Sequence, residues 1–164
     1  LNMMKKIEYS PIGVIHSPFK TPEGTPIQSA GATGVDGVVE LFEEYSEGLE
    51  DLGGFSHILL LYHFHLSKRF NLRVKPFLDD TFHGLFATRA PSRPNPIGIS
   101  VVRLVRIDSE KLYVKDIDVV DGTPLLDIKP YVPEFDARKV DRIGWLENVS
   151  IEVGKTYDDG RFTR

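Results

Sequence analysis

The stretch Gly84-Leu-Phe-Ala-Thr-Arg-Ala-Pro-Ser-Arg-Pro-Asn-Pro-Ile-Gly-Ile-Ser-Val-Val-Arg-Leu-Val105 decides how the chain is read. Two apolar runs suited to strands, Gly84–Thr88 and Ile99–Val105, flank the decapeptide Arg89–Gly98. Pro91, Pro94 and Pro96 take three donors out of the backbone, which excludes a helix. They also push Ala90, Arg93 and Asn95 toward extended conformations. The reading is therefore strand, stiff loop, strand. Such a loop loses little entropy when it holds a ligand. It carries two guanidinium groups and an amide, which bind carboxylates, phosphates or base edges. The alternative is a rigid connection with two solvated arginines.

The rest of the chain keeps the same rhythm. Ile7–Ser17 reads as a first strand with a bend at Pro11-Ile-Gly13. Ser17–Pro26, with three prolines and a glycine, is a loop, followed by the small-residue run Ser29–Gly34. Gly37–Phe42 is a strand, and Glu43–Leu52 a short surface helix or turn stopped by Gly53-Gly54. Phe55–His65 is the most hydrophobic run, and its continuity predicts burial on both faces. Period-2 counting puts His57, Leu59, Leu61, His63 and His65 on one face of it. Residues 66–83 are basic and irregular. Lys111–Val120 alternates as a strand, Asp121-Gly122 signals a hairpin turn, and Leu125–Tyr131 continues extended. A loop over 132–147 leads to a last strand, Val149–Val153, and then a loose polar tail over 154–164. Seven or eight short strands, with no phosphate-binding glycine motif and no strand–helix–strand alternation, predict an all-β domain, a barrel or a sandwich with long loops and few short helices.

Composition narrows the function. The chain has 164 residues with 41% apolar and 27% charged residues, as in an ordinary globular domain. Cysteine is absent, which removes disulfides, thiolate nucleophiles and cysteine metal sites. No apolar run reaches membrane-spanning length. Met3-Met-Lys-Lys6 leads into Ile-Glu-Tyr-Ser rather than an apolar run, so a cytoplasmic location is expected. Net charge is −6 over residues 1–67, +6 over 68–115 and −4 over 116–164. An acidic chain with a basic middle third points to a localised anion-binding face, or to charges that the fold scatters.

Three constellations carry candidate chemistry. The first is the proline loop, with Arg89, Arg93, Asn95 and the open Gly98. The second is Asp121–Tyr131, where Asp127, Lys129 and Tyr131 alternate on one strand face toward a site or toward solvent. The third is His63-x-His65 with His57, a spacing suited to a metal, although no acidic residue lies near them in sequence. No nucleophile-elbow motif supports a serine hydrolase.

Phe55-Ser-His57, Phe86-Ala-Thr-Arg89, Arg93-Pro-Asn-Pro-Ile-Gly98, Val120-Asp-Gly-Thr-Pro124 and Asp127-Ile-Lys-Pro-Tyr131 follow one another in the chain. Ile12-Gly-Val-Ile15 and Ser17-Pro-Phe-Lys20 precede them. Together they resemble the TrmO (TsaA-like) family of tRNA methyltransferases, over roughly residues 7–153. The resemblance implies one β-barrel methyltransferase domain over 7–153, an N-terminal extension over 1–6 and a C-terminal tail over 154–164. It implies a homodimer that uses S-adenosylmethionine and methylates the exocyclic nitrogen of threonylcarbamoyl-modified adenosine beside a tRNA anticodon. Cofactor contacts are implied at Pro26, Ile27, Gln28, His65, Leu66, Arg89, Ile99, Asp121, Gly122, Thr123 and Pro124. Chemically, an arginine suits the cofactor carboxylate and an aspartate its ammonium or ribose. Methyl transfer needs mainly in-line positioning and desolvation. A base is needed only for the amine proton; Asp127, Lys129, Tyr131 or water are the candidates. Lys68, Arg69, Arg93 and Asn95 are the candidates for RNA contact. A non-catalytic S-adenosylmethionine or nucleotide sensor, and a metal enzyme built on His63 and His65, are the alternatives.

Overall fold

A computed structural model describes residues 4–149 and 153–163. Its strands are β1 (Gly13–His16), β2 (Asp36–Leu41), β3 (His57–His63), β4 (Arg73–Val74), β5 (His83–Gly84), β6 (Ile97–Asp108), β7 (Lys111–Lys115) and β8 (Thr123–Pro130). Six of them close a barrel in the order β1-β2-β7-β6-β3-β8. Every neighbouring pair is antiparallel, and β8 closes the ring by pairing with both β1 and β3. Strands β4 and β5 form a separate two-stranded sheet. The only α-helix among the described residues is the single turn α1 (Pro133–Asp136). The expectation of an all-β barrel with long loops and few short helices holds.

Closure leaves one face of each strand inside, so the alternation of the sequence becomes the core. Ile15, Val39, Ile58, Leu60, Val102, Leu112, Val114 and Leu125 fill it and are almost wholly hidden from solvent. The inner positions of β6 are Gly98, Ser100, Val102 and Leu104. Gly98 lies beneath the rings of Tyr62 and Phe64, and a methyl group there would collide with both.

Several boundaries differ from the sequence reading, each for a local reason. The first strand shrinks to Gly13–His16, although Ile12 still exchanges backbone hydrogen bonds with Leu125 and Phe42. The Phe55–His65 run is buried on one face only: Ile58, Leu60 and Tyr62 point in, while His57, Leu59, Leu61 and His63 stay half-exposed on the outer face. Gly84–Thr88 is not a strand. Leu85–Ala87 turns as a 3-10 segment because the Leu85 carbonyl accepts both the Thr88 amide and the Thr88 hydroxyl. The run from Lys111 ends at Lys115, where Asp116 adopts φ 72° and turns the chain. Asp121-Gly122 is not a hairpin connection, since β7 and β8 are not neighbours; its amides donate instead to the carbonyls of Phe19 and Ile15. Glu43–Leu49 and Leu52–Gly54 are 3-10 segments. Residues 150–152 of the expected last strand lie outside the described residues; Val149 is not in a strand and Val153 opens a 3-10 turn.

The segment expected as a loose tail is tied down. Tyr157 bridges to Pro26, and Asp158 exchanges backbone hydrogen bonds with Gly24 and Thr25. Arg161 donates to the carbonyls of Lys75 and Pro76, and Phe162 packs against the small cluster of Val74, Leu85 and Ala90.

The space under Tyr62 gives a direct test of the barrel's packing. Gly98→Ala should cost about 2 kcal/mol in urea unfolding, in the range of overpacked cores. An alanine variant as stable as the parent would mean that the two rings move aside at no cost.

Candidate active site

An open cleft of about 740 Å³ lies at the barrel end where β3 finishes and β6 and β8 begin. Loops 22–28 and 85–93 wall it, together with Trp145 and part of the C-terminal segment. Most of its lining is apolar, from Phe64, Leu66, Phe77, Phe86, Ile97 and Ile99.

The proline loop divides its polar groups between two tasks. Arg89 reaches across to the early loop, its Nη1 donating to Gln28 Oε1 at 2.9 Å. Arg93 folds back instead, donating from Nη1 to the carbonyls of Thr88 at 3.0 Å and Ala90 at 2.9 Å. A chain whose prolines cannot donate to each other's carbonyls needs such outside donors to fix its shape. Both arginines line the cleft, whereas Asn95 is exposed and does not.

Of the other residues singled out in the sequence, the cleft brings together Pro26, Ile27, Gln28, His65, Leu66, Ile99 and Thr123. Burial is the main reason that His65 has its pKa lowered, with His63 adding to it. Asp121, Gly122 and Pro124 do not line the cleft. The Asp121 carboxylate is occupied by the Lys20 ammonium at 2.8 Å and the Ser17 amide at 3.0 Å, with His16 Nδ1 at 3.6 Å. Lys20, then Ser17, holds its pKa below the ordinary value. Asp121 thus clips loop 17–20 to the turn beneath Thr123.

Asp127, Lys129 and Tyr131 lie apart from the cleft. The register of β8 slips by one residue opposite Leu61 and Tyr62, so Leu126 is extra and Asp127 falls on the outer face beside Leu61. There Asp127 pairs with Lys129 at 2.9 Å and borders a second, acidic pocket with Glu44, Glu47 and Glu50. Lys68 and Arg69 are exposed and follow Ser67, which lines the cleft. No three His, Asp or Glu side chains among the described residues group as a metal site, and His63 and His65 therefore remain without carboxylate partners of that kind.

The sequence reading missed a polar chain on the cleft floor. Tyr62 Oη lies 2.9 Å from Ser100 Oγ, which donates to Asp118 Oδ1 at 2.5 Å. Three elements supply it: β3, β6 and the run after β7. Tyr62 and Asp118 both line the cleft, and Ser100 is buried behind them. Burial pushes the Asp118 carboxyl up to about 6, against the pull of Ser100. Burial, then the Asp118 charge, raises the Tyr62 phenol too. Ser100 had one visible signal, a hydroxyl on an otherwise apolar inner face of β6.

With this geometry in place, comparison with known proteins decides the family. The family model of the tRNA-methyltransferase O N-terminal domain matches residues 14–137. The chain belongs to the TrmO family. A Pyrococcus abyssi relative, described as a probable S-adenosyl-L-methionine-binding protein, is 59% identical over 94% of this chain and 84% of its own length. A mouse relative named tRNA (adenine(37)-N6)-methyltransferase is 34% identical over 77% of this chain and 31% of its own. A crystal structure of TrmO from Pseudomonas aeruginosa superposes with a TM-score of 0.74 and 40% identity, over 90% of this chain and 64% of that one. The TrmO family match runs from Val14 within β1 to just past α1, and so includes Arg89, Asp118 and most of the cleft lining.

Asp118 yields a stability test. Its ordinary value is 3.8 and its folded value about 6. Between the two, the folded state keeps a proton that the unfolded state has lost, so stability falls as pH rises through that window. Asp118→Asn has no such proton. It should exceed the parent by about 3 kcal/mol near pH 7.5, at roughly 1.4 kcal/mol per unit, and the gain should vanish toward pH 4. A gain that is the same at both ends in urea unfolding would assign it to another cause.

Proposed function

We propose that this TrmO-family protein is an S-adenosylmethionine-dependent methyltransferase acting on tRNA, at the exocyclic nitrogen of threonylcarbamoyl-modified adenosine beside the anticodon. The observation that carries the reading is the cleft itself: apolar walls enclosing a guanidinium, Arg89, and a carboxylate, Asp118. S-adenosylmethionine presents a carboxylate, cationic groups and a flat apolar purine, and those residue types match it. The relative from Pyrococcus is described as binding it, and the mouse relative is named for the tRNA reaction.

In this reading Arg89 takes the carboxylate of the amino-acid portion, steadied by Gln28. Leu66, Ile97 and Ile99 exclude water from the reacting centre, which strengthens the electrostatics within. The cofactor, when bound, supplies an activated methyl group. Arg93 keeps the loop in shape rather than meeting the ligand. Asp121 acts at one remove, through Thr123. The outer-face row Asp127, Lys129 and Tyr131 reaches the acceptor only if a second copy is apposed. Ile97 and Ile99 leave apolar surface at 43% and 49% exposure, which favours a homodimer covering that side. Lys68 and Arg69, which follow the cleft-lining Ser67, are assigned to RNA phosphates, and Arg73 and Lys75 flank the exposed ring of Phe82 at 5.8 and 5.1 Å, a pairing suited to unstacked bases. No helix among the described residues is long and apolar enough to cross a membrane, and a cytoplasmic site of action fits tRNA modification.

The second reading, a sensor that binds the cofactor without turnover, is favoured by the binding-only description of the Pyrococcus relative. Calorimetry and tRNA labelling separate the two. The purified protein should bind S-adenosylmethionine, and Arg89→Ala should weaken it by about tenfold or more, the worth of a charge-assisted pair. Mass spectrometry of tRNA nucleosides from cells without the gene should lose the methylated threonylcarbamoyl-adenosine. Binding with no change in tRNA nucleosides would select the sensor; absence of binding by the folded protein would end both.

A further inference from the structure

Among the described residues, no ion pair offsets the charge of Asp118. Its Oδ1 accepts the Ser100 hydroxyl, and no Lys, Arg or His side chain forms an ion pair with it among the described residues. Among the described residues, its Oδ2 accepts no hydrogen bond from another side chain. The carboxylate nevertheless lines a cleft with largely apolar walls, where an unpaired charge is costly. The chain contrasts sharply with its other acids near this end of the barrel. Asp121 is satisfied by Lys20 and the Ser17 amide, and Asp79 by His83 at 2.7 Å.

The surroundings favour a cationic ligand over an internal partner. Arg89, Arg93, His65, Tyr62 and Asp158 are the titratable or charged groups that share the cleft with Asp118. Arg89 is bound to Gln28 and Arg93 to its own loop carbonyls. His65 is held toward its neutral form by burial, and Asp158 turns to the Gly160 amide at 2.6 Å. The Asp118 charge raises the Tyr62 pKa and the Arg89 charge lowers it, so both charges act within electrostatic reach of one phenol in the cleft that all three line. A ligand that carries both a carboxylate and a cation would satisfy both.

We infer that the Asp118 carboxylate is the counter-charge for the cationic portion of S-adenosylmethionine, with Ser100 and Tyr62 holding its Oδ1 edge so that Oδ2 meets the ligand. The inference rests on the reading of the cleft as an S-adenosylmethionine site and not on the methyl acceptor. Two groups of the cofactor supply that chemistry, its ammonium and its sulfonium. Ser100 is a positioning residue, acting through Asp118.

Three related ligands that differ in these cations test it, and 5′-methylthioadenosine also lacks the carboxylate that Arg89 would meet. S-adenosylmethionine has both cations, S-adenosylhomocysteine keeps the ammonium alone, and 5′-methylthioadenosine has neither. Affinities are measured by calorimetry near pH 7.5 for the parent, Asp118→Asn and Ser100→Ala. Asp118→Asn should bind S-adenosylmethionine about tenfold or more weakly and methylthioadenosine unchanged. A loss shared by S-adenosylhomocysteine assigns the contact to the ammonium; a loss confined to S-adenosylmethionine assigns it to the sulfonium. Ser100→Ala should show the same pattern at about threefold, with methylthioadenosine again unchanged, which a merely unfolded variant would not retain. Affinities of Asp118→Asn within twofold of the parent for all three ligands overturn the inference. Equal weakening of all three, in both variants, also overturns it, because a damaged fold and not a charge would then be the cause. A parent protein that binds none of the three overturns the cofactor reading itself.

Discussion

The pairing of β8 with two partners at once is the constraint on which this molecule depends. One strand pairs with β1 along one edge through Thr123–Leu125 and with β3 along the other through Leu125 and Asp127–Pro130, and its register against β3 shifts by one residue. The shift is the extra residue at Leu126. Before it, Thr123 and Leu125 face the barrel interior; after it, Ile128 packs toward the core and Asp127 and Lys129 turn outward. A bulge of this kind re-aims side chains by reversing the parity of a strand. Here it separates one continuous sequence motif into two places, with Thr123 at the cleft and the Asp127–Lys129 pair on the outer wall.

The same economy governs the loops. Chain segments rich in proline lack donors, and their carbonyls must be satisfied from elsewhere. Arg93 does this for residues 88–90, and Arg161 does it for Lys75 and Pro76. Arg93, which looks like a ligand group in the sequence, is thus consumed by the scaffold. Arg89 differs because its partner, Gln28, is a neutral amide on another loop, which leaves the guanidinium with donors to spare.

That division explains what the sequence revealed. The barrel was legible because inner positions repeat with period two and turns are marked by glycine and proline. Boundaries were less so: Gly84–Thr88 has strand composition, yet the hydroxyl of Thr88 closes a 3-10 turn that no periodicity announces. The outer row Leu59, Leu61 on β3 inflated the apparent burial of that strand, since an apolar outer face reads like a second core face. At the cleft, Arg89 and the loop 26–28 were singled out from resemblance, and the structure brings them together there. Asp118 was not, because it sits among Ile117, Val119 and Val120 as one acid in an ordinary alternation. What marks it is that no cationic side chain among the described residues pairs with it, and that is a property of three dimensions.

The unpaired state of Asp118 also has a consequence for the order of events at the cleft. A carboxylate pushed up to about 6 by burial is held there at the expense of fold stability. A cation arriving in the cleft relieves that penalty, so part of the ligand's affinity comes from relief of strain already present in the folded chain. Methyl transfer from a sulfonium removes one positive charge from the site. If Asp118 faces that charge, the product leaves the carboxylate unpaired again, and the protein holds the spent cofactor less tightly than the fresh one. If it faces the ammonium, substrate and product cofactor are held alike and Asp118 contributes only uniform binding. The two cases lead to opposite expectations for product release, and they are fixed by a single geometric fact: which end of the ligand lies against the Tyr62–Ser100–Asp118 floor.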